Sequence, residues 1–251
     1  MIVLITGASS GIGRACCYEF ASKGANLIIL ARREKKLQEI TKEVQDKYKV
    51  NVIAKACDVR NYEQVKECIE TLPVEWKNID VLINNAGLAR GLEKIQDGVI
   101  EKWEEMIDTN IKGLLYVTRC VLPYMIKRNY GDIINIGSIA GHEVYPGGNV
   151  YCGTKFAERA ISKGMTIDTN GYNIRVCSID PGMVETEFSL VRFDYDIDRA
   201  KSVYKGLHAL TGEDIAKIAS FIVSQPRHVN IQNIVLTPSQ QATATIVSRN
   251  L

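Results

Sequence analysis

Residues 2–13, IVLITGASSGIG, contain an apolar run followed at once by three closely spaced glycines, Gly7, Gly11 and Gly13. Residues 14–23 favour a helix, so the stretch predicts a strand, a glycine-rich turn and a helix. A glycine turn lets the backbone approach a ligand without obstruction by Cβ, and the helix start directs free N–H groups and a positive dipole end at an anion. A pyrophosphate fits that chemistry, and a glycine turn without a ligand is the alternative.

Apolar runs recur along the rest of the chain, and helical periods separate most of them. The predicted strands cover residues 26–31, 50–56, 81–83, 132–136, 174–179 and 234–236, and the predicted helices cover 34–48, 62–72, about 100–127, 151–169 and 212–224. Repeated strand-then-helix units predict an α/β fold, in which a parallel sheet carries helices on both faces. No internal repeat or linker interrupts the chain. We therefore expect a single domain over residues 1–251, in which an irregular substrate segment, residues 182–210, closes over the site.

The composition indicates an enzyme-sized globular chain. With 251 residues, 46% of them apolar, it can bury a sizeable core. Lys and Arg number 31 against 29 Asp and Glu, a formal charge of +2, and no stretch concentrates basic residues, so no nucleic-acid partner is expected. No run approaches the roughly 18 apolar residues of a membrane span, and the first glycine comes too early for a signal segment. We expect a cytoplasmic protein without membrane association.

The cysteines form no recognisable framework. There are 7 of them and no C-x-x-C motif occurs, which favours neither a set of disulfides nor a zinc site, and we predict no metal. They are expected to be small apolar residues in a reducing cell.

Tyr151 and Lys155 are the candidate acid–base pair. Because they are four residues apart in a predicted helix, they share one face and lie one turn from each other. A phenol has a pKa of about 10 in water, and a fixed cation beside it stabilises the phenolate and brings that pKa toward the working range. For the spacing alone, a partly buried tyrosine next to a solvated lysine is the alternative.

Six motifs occur in an order and spacing that resemble a known family. They are TGASSGIG at 6–13, NNAG at 84–87, Asn110, Ser138, the Tyr151/Lys155 pair, and PG at 181–182. Together they resemble the classical short-chain dehydrogenase/reductase family over essentially the whole chain. The resemblance implies a Rossmann-type doubly wound parallel sheet in three layers. It also implies reversible hydride transfer between a nicotinamide cofactor and an alcohol or carbonyl.

Asn110, Ser138, Tyr151 and Lys155 make up the predicted catalytic set. Tyr151 as a phenolate would take the hydroxyl proton of an alcohol, and as a phenol would donate a proton to a carbonyl oxygen. Ser138 follows the predicted strand 132–136, at the sheet edge where such folds place ligands, and its hydroxyl can orient the substrate oxygen. By the resemblance, Lys155 also binds the nicotinamide ribose and Asn110 supports a water linked to the lysine. A surface amide is the alternative for Asn110.

The cofactor-binding residues are assigned mainly by the resemblance. NNAG is expected to support the adenosine side, although a well-formed turn would explain it too. Asp58 is similar to the acid that binds the adenine amino group, and the segment from Pro181 to Thr186 is similar to the one that holds the carboxamide. The full predicted set is Gly7, Ser9, Ser10, Gly11, Ile12, Gly13, Arg32, Arg33, Asp58, Val59, Asn85, Ala86, Gly87, Tyr151, Lys155, Pro181, Gly182, Val184 and Thr186.

The end of the second predicted strand indicates which dinucleotide is used. A cofactor without a 2′-phosphate usually meets a carboxylate there, whereas this chain has Ala31-Arg32-Arg33. Arg32 can pair with a 2′-phosphate and stack on adenine. We therefore predict NADP(H), with Ser9 and Arg33 assisting; arginines at a solvated helix entrance are the alternative.

A closer resemblance indicates the substrate class. NNAGLARGLE, MIDTNIKGLLYVTR, LPYMIKRNYGDIINIGSIAG, GGNVY and TEFSLVRF are similar to the NADP-dependent 3-hydroxy acid dehydrogenases, the group that oxidises serine, allo-threonine and 3-hydroxy acids and reduces malonic semialdehyde. A small hydroxy acid needs a cation for its carboxylate, for which Arg192 and Arg90 are the candidates. His142 and Tyr145 are expected to line the pocket beside Ser138. Glu185 and Glu187 would oppose an anionic substrate unless they face solvent.

Two other functions compete with this one. A broader carbonyl or 3-ketoacyl-thioester reductase would have the same catalytic residues with an apolar pocket that lacks a cation. A non-catalytic NADP-binding sensor would need the phosphate turn but not the Tyr151/Lys155 pair. The family resemblance also implies a homotetramer built on the helices near 100–127 and 151–169, with a small-molecule substrate.

Overall fold

The strands form one parallel sheet. A computed structural model describes residues 1–249, and within them the sheet has seven strands in the order β3-β2-β1-β4-β5-β6-β7. They are β1 (Ile2–Thr6), β2 (Asn26–Ala31), β3 (Val52–Ala56), β4 (Val81–Asn84), β5 (Gly131–Ile136), β6 (Ile174–Pro181) and β7 (Asn233–Leu236). Every neighbouring pair is parallel.

Helices connect the strands and cover both faces of the sheet. They are α1 (Gly11–Ser22), α2 (Glu34–Tyr48), α3 (Tyr62–Glu70), α4 (Ile100–Ile107), α5 (Leu114–Arg128), α6 (Asn149–Asp168), α7 (Phe188–Arg192), α8 (Ile197–Ser202) and α9 (Gly212–Ser224). Side chains of α1, α2 and α9 enter one core cluster, and those of α3, α5 and α6 enter another. The predicted α/β architecture of three layers is confirmed.

The sheet divides its side chains between these two clusters because successive residues of a strand point to opposite faces. In β1, Val3 and Ile5 pack with α1 and α9, while Leu4 packs on the other side. All three are fully buried. A central parallel strand covered on both faces needs such an unbroken apolar run, which is why the sequence shows no alternation here.

The site lies where the strand order reverses. β1 is flanked by β2 on one side and β4 on the other, so the connections leave their carboxyl ends in opposite directions and open a crevice. Hydrogen bonds tie the two strand ends together: Thr6 Oγ1 accepts from the N–H groups of Asn85 and Ala86, both at 3.0 Å. Asn85 Nδ2 donates to the Thr6 carbonyl at 2.9 Å. The glycine turn and the NNAG segment therefore form one rigid floor.

Two regions differ from the sequence-based expectation. The helix predicted at about 100–127 is interrupted by a π-helical segment, Asp108–Gly113. A π-turn adds a residue to the helical turn and changes which side chains face inward, and here Thr109 and Asn110 are buried. The substrate segment is also not wholly irregular, since it contains α7 and α8.

The base of the substrate segment is closed by backbone hydrogen bonds. The Leu210 N–H donates to the Met183 carbonyl at 3.0 Å, and the Glu185 N–H donates to the Leu210 carbonyl at 2.8 Å. The chain thus leaves and re-enters the body of the protein at one point. Across residues 1–249, no helix is both long and apolar enough to cross a membrane.

Candidate active site

A cavity of about 570 Å³ runs along the carboxyl edge of the sheet, from the glycine turn to α7. Its size is in the range of small-molecule sites. Most of the predicted site residues line it: Gly7, Ser9, Ser10, Gly11, Ile12, Arg32, Arg33, Asp58, Val59, Asn85, Ala86, Gly87, Ser138, Tyr145, Tyr151, Lys155, Pro181, Gly182, Val184, Thr186 and Arg192. Residues far apart in the sequence are therefore brought to one site.

Three predicted residues lie behind the cavity wall. Gly13 is buried against the glycine turn, where an added Cβ would come within 2.4 Å of the Gly7 carbonyl oxygen. Asn110 is buried in the π-helical segment. His142 points to β6, with its Nε2 at 2.6 Å from Asp180 Oδ2. The structure corrects the expectation that His142 lines the pocket, because this hydrogen bond holds the imidazole against Asp180 and away from the cavity.

The glycine turn is tightly packed and leads into the N-terminus of α1. Gly7 has φ +63°, and a Cβ there would meet Asn85 Nδ2 at 2.7 Å. Ser10 precedes α1 without a side-chain cap, and no acidic residue occupies the first turn. The free N–H groups at this helix start face the cavity without a competing negative charge. The residues present therefore fit a dinucleotide phosphate group.

Two arginines, Arg32 and Arg33, line the cavity near Ser9, and they differ in how firmly they are held by other residues. Arg33 is engaged: its Nε donates to Ser9 Oγ at 3.1 Å and its Nη1 pairs with Glu187 at 2.7 Å. Arg32 is freer, since its side chain is 53% exposed and its ion pair with Glu105 is 3.8 Å long. Arg32 is the one able to meet an incoming anion. The pairing with Arg33 also neutralises Glu187, one of the two carboxylates expected to oppose an anionic substrate.

Asp58 lies on the same side of the cavity and is held by Arg60. The Arg60 guanidinium donates to both carboxylate oxygens, at 2.9 Å from Nε to Oδ1 and 2.6 Å from Nη2 to Oδ2. Burial disfavours the carboxylate, but the hydrogen bonds from Arg60 outweigh it and keep the pKa of Asp58 below its usual value. Asp58 is therefore an ionised acceptor, as an adenine amino group requires.

Tyr151 and Lys155 lie on the inward face of α6, one turn apart as predicted. Tyr151 is 8% exposed, and its ring packs edge-to-face on Phe188 with centroids 5.7 Å apart. Lys155 is buried, and its Nζ donates to the Ile136 carbonyl at 2.9 Å. Both side chains line the cavity. The phenol and the ammonium are thus fixed at the floor of the site.

Glu158 is a buried acidic neighbour of this pair that sequence reasoning missed. Its Oε2 accepts from Lys155 Nζ at 2.6 Å. Burial raises the pKa of Glu158 to about 7, against the lowering effect of Lys155. A carboxylate seven residues after Tyr151 falls on the same helix face, so its position on that otherwise buried face was the signal.

Ser138 caps the short turn that follows β5. Its Oγ accepts from the Ala140 N–H at 3.1 Å, which leaves the hydroxyl proton available as a donor. Because Ser138 lines the cavity, that proton can be directed at a substrate oxygen. This position follows the carboxyl end of a strand, where the sequence analysis expected it.

The Asn110 side chain joins the backbone after the NNAG segment to Thr154, the residue before Lys155. It exchanges hydrogen bonds with the Leu88 backbone, both at 2.9 Å, and its Nδ2 also donates to Thr154 Oγ1 at 3.0 Å. The amide is therefore already engaged on both its oxygen and its nitrogen. Thr154, which joins the π-helical segment to α6, was not identified from the sequence.

Arg192 approaches the other side of Tyr151 from the end of α7. Its guanidinium carbon is 5.6 Å from the Tyr151 ring centroid, and its Nη1 donates to the Tyr145 hydroxyl at 3.0 Å. Its Nε donates to the Gly91 carbonyl at 3.1 Å. Nη2 is buried and has no acceptor within residues 1–249, and no carboxylate in that range pairs with the guanidinium. Arg192 is a half-buried cation that lacks a counter-ion among residues 1–249.

Tyr145 stays neutral beside this cation. Burial raises the pKa of Tyr145 well above its usual value, and the nearby Arg192 lowers it by less. The hydroxyl that accepts from Arg192 therefore keeps its own proton. It can act as a second donor at the rim of the cavity.

Arg90, the other candidate cation, is fully engaged elsewhere. Its Nε pairs with Glu105 at 2.7 Å, and its Nη1 donates to the Val191 carbonyl at 2.8 Å. Asp194 lies 3.4 Å from the same Nη1. The Arg90 charge is already compensated, so it ties the NNAG segment to α7 and is not available for a ligand.

The residues after β7 complete the cavity. Gln241 is buried, accepts from the Met183 N–H at 2.8 Å and lines the cavity together with Ala244 and Thr245. The Ala244 N–H donates to Glu143 at 2.8 Å. This segment could not be assigned from the sequence, because it lacks both apolar periodicity and a motif.

A doubly wound sheet that brings a dinucleotide turn and a Tyr/Lys pair into one cavity defines a nucleotide-dependent oxidoreductase. The family model described as short chain dehydrogenase matches residues 1–194. The chain belongs to this family, as the sequence resemblance predicted.

Individual relatives resemble the chain over nearly its whole length. The NADP-dependent 3-hydroxy acid dehydrogenase of Shigella flexneri is 46% identical over 245 residues, which cover 97% of this chain and 97% of the relative. The NADP-dependent 3-hydroxy acid dehydrogenase of Schizosaccharomyces pombe is 45% identical over 248 residues, 98% of this chain and 96% of the relative. A closed form of serine dehydrogenase complexed with NADP+ superposes with a TM-score of 0.93 at 44% identity, covering 100% of both chains.

Proposed function

We propose that this protein transfers a hydride between NADP(H) and the hydroxyl or carbonyl carbon of a small 3-hydroxy acid or its semialdehyde, of the serine, allo-threonine or 3-hydroxypropionate type. The Arg192 guanidinium beside Tyr151 carries the proposal, because no carboxylate in the described part of the chain compensates it. A half-buried cation without a counter-ion is costly, and a substrate carboxylate supplies the missing charge by a charge-assisted fork. Arg90 cannot serve, since Glu105 already holds it.

Each residue of the predicted catalytic set has a role in this reaction. The nicotinamide, when bound, supplies or accepts the hydride. Tyr151 takes the hydroxyl proton during oxidation and gives a proton to the carbonyl oxygen during reduction. Lys155 stabilises the phenolate by its positive charge, and Ser138 donates to the substrate oxygen. Asn110 joins Thr154, the residue before Lys155, to the backbone after the NNAG segment.

The cofactor is proposed to be NADP(H). The glycine turn and the start of α1 would hold the pyrophosphate, and Asp58 and Val59 would border the adenine. Arg32, exposed and weakly paired, would bind the 2′-phosphate, with Ser9 and Arg33 assisting from the same corner. The names of the relatives support this choice, since they include NADP.

Replacing Arg32 by Asp should move cofactor preference toward NAD(H). The substitution replaces a charge-assisted contact with repulsion, so the ratio of kcat/KM for NADPH to that for NADH should fall on the order of 100-fold. The ratio is measured with one carbonyl substrate at limiting cofactor. Lys35→Asp, which makes the same charge change on an exposed side chain of α2, is the control and should leave the ratio near its wild-type value. An unchanged ratio in Arg32→Asp would refute the assignment.

The substrate class is tested by following NADPH absorbance with malonic semialdehyde, and NADP reduction with serine or 3-hydroxypropionate. We expect turnover of the acids to exceed that of an uncharged aldehyde of similar size, because only the acids compensate Arg192. Activity confined to uncharged ketones or 3-ketoacyl thioesters would make the protein a general reductase instead. Tight NADPH binding without turnover of either class would favour the sensor.

Assembly, domain count and location complete the proposal. Apolar side chains on α4, α5 and α6 remain exposed in the single chain, among them Ile107, Leu115 and Phe156, and they support a homotetramer built on these helices. The sheet extends from β3 to β7 without a break, which supports one domain over residues 1–251. The free thiols of residues 1–249 are consistent with the reducing cytoplasm.

A further inference from the structure

Lys155 and Glu158 form an ion pair inside the fold, on the side of Lys155 away from Tyr151. An ammonium has three N–H donors. Lys155 gives one to the Ile136 carbonyl and one to Glu158 Oε2, at 2.9 and 2.6 Å. One donor is therefore left for the cavity. The direction of that remaining N–H is fixed by the other two bonds.

Stability does not account for the carboxylate at this position. Glu158 is 2% exposed, and its Oε1 has no hydrogen-bond partner in the described part of the chain. Burying a charge and an unpaired oxygen costs free energy, and an apolar side chain of similar size usually stabilises a fold at least as well as a buried ion pair. The contact with Lys155 is what distinguishes Glu158 from such a side chain.

We propose that Glu158 is a positioning residue that acts as the internal counter-ion of Lys155 and sets the pH at which alcohol oxidation begins. This inference rests on the proposed acid–base role of Tyr151. The Lys155 cation favours the Tyr151 phenolate, and a carboxylate three residues farther along the helix cancels part of that effect. Oxidation therefore begins at a higher pH than the cation alone would give.

The other charged groups around Glu158 are consistent with this role. Lys155 and Tyr151 come from the same helix, and Asp180 comes from β6, where it also pairs with His142. Burial disfavours the ammonium, but Glu158, Tyr151 and Asp180 outweigh it, so the pKa of Lys155 is raised. Because burial brings the pKa of Glu158 to about 7, its carboxylate is ionised in the alkaline range where oxidation is measured.

The test compares Glu158→Gln, Glu158→Asp and the exposed carboxylate control Asp168→Asn, which lies at the end of the same helix. For each enzyme, kcat/KM for NADP-dependent oxidation is measured from acidic to alkaline pH with a 3-hydroxy acid and with an uncharged secondary alcohol. Removing one charge about two helical turns from Tyr151 should lower the pH midpoint of the rising limb by about one unit in Glu158→Gln. Glu158→Asp keeps the charge, so its midpoint should lie nearer that of the wild type. The control Asp168→Asn should have the wild-type midpoint.

A second readout does not depend on turnover. The tyrosinate absorbance of the NADP-bound enzyme is titrated against that of a Tyr151→Phe variant, and the difference reports ionisation of Tyr151 alone. Glu158→Gln should shift that difference to lower pH. If the Glu158→Gln variant is too poorly folded to titrate, the Glu158→Asn variant also removes the charge, keeps a polar side chain beside Lys155 and should show the same downward shift.

The outcomes separate this inference from the proposed function. If the enzyme oxidises the uncharged alcohol but not the 3-hydroxy acid, the proposed substrate class is refuted. A lower pH midpoint for the uncharged alcohol in Glu158→Gln would still support the role of Glu158. The counter-ion role would be refuted if both the pH midpoint and the tyrosinate titration of Glu158→Gln coincided with those of the wild type. In that case the substitution would reduce only the thermal stability or a rate that does not depend on pH.

Discussion

Tyr151→Phe should lower kcat about 10³- to 10⁴-fold in both directions, because it removes the only atom at this position that can exchange a proton with the substrate oxygen. The ring should stay in place, since its edge-to-face contact with Phe188 needs no hydroxyl. NADPH affinity should therefore change little. Steady-state rates in each direction and a fluorescence titration of NADPH measure the two quantities separately.

The exposed Tyr172 provides the matched control. Tyr172→Phe removes a phenol of the same kind outside the cavity lining and should retain wild-type rates. A Tyr151→Phe enzyme that kept most of its activity would show that another group transfers the proton, and the neutral hydroxyl of Tyr145 would be the next to test. Retained NADPH binding shows that any loss of rate is a loss of chemistry and not of the fold.

Arg192→Ala should reduce kcat/KM for hydroxy acids and semialdehydes about 100-fold, the equivalent of roughly 3 kcal/mol for a charge-assisted pair. An uncharged aldehyde should be affected far less, because it makes no use of the guanidinium. The ratio of the two kcat/KM values is the informative measurement, since it cancels any general effect on the enzyme.

The ratio of the two kcat/KM values is needed because Arg192 also holds neighbouring parts of the cavity rim in place. It donates to the Tyr145 hydroxyl and the Gly91 carbonyl, so its loss loosens the cavity rim. Arg159→Ala removes an exposed arginine of α6 and should leave both substrates unaffected. Equal losses on acid and aldehyde in Arg192→Ala would assign Arg192 a purely structural role and remove the main support for an anionic substrate.

The fold could be predicted from the sequence because the apolar runs, the glycine turn and the residue spacing all indicated the same architecture. The apolar runs mark strands buried on both faces, and three glycines mark the phosphate turn. The Tyr151/Lys155 spacing places two polar groups on one helix face. These signals depend on residues near each other in the chain, so no tertiary information was needed.

The features that were missed depend on contacts between distant segments. Asn110, in the π-helical turn, bonds with Leu88 and Thr154, which are distant in the sequence. Neither residue carries a local sequence signal for this turn. His142 was expected in the pocket because it lies between Ser138 and Tyr151, yet Asp180 on a neighbouring strand holds it away. Likewise only the structure shows that carboxylates pair with Arg90 and that none within residues 1–249 pairs with Arg192.

The closed base of the substrate segment has a consequence for how this enzyme could diversify. The backbone hydrogen bonds among Met183, Glu185 and Leu210 hold the two ends of residues 186–209 together. The chain between these ends can therefore vary in length and sequence while the ends stay in place. Lengthening its exposed stretch costs little entropy and leaves the strand register unchanged, whereas changes at Phe188 or Arg192 reach Tyr151 directly. Substrate preference can thus change through this one segment, provided that its contacts with Tyr151 and Arg33 are kept.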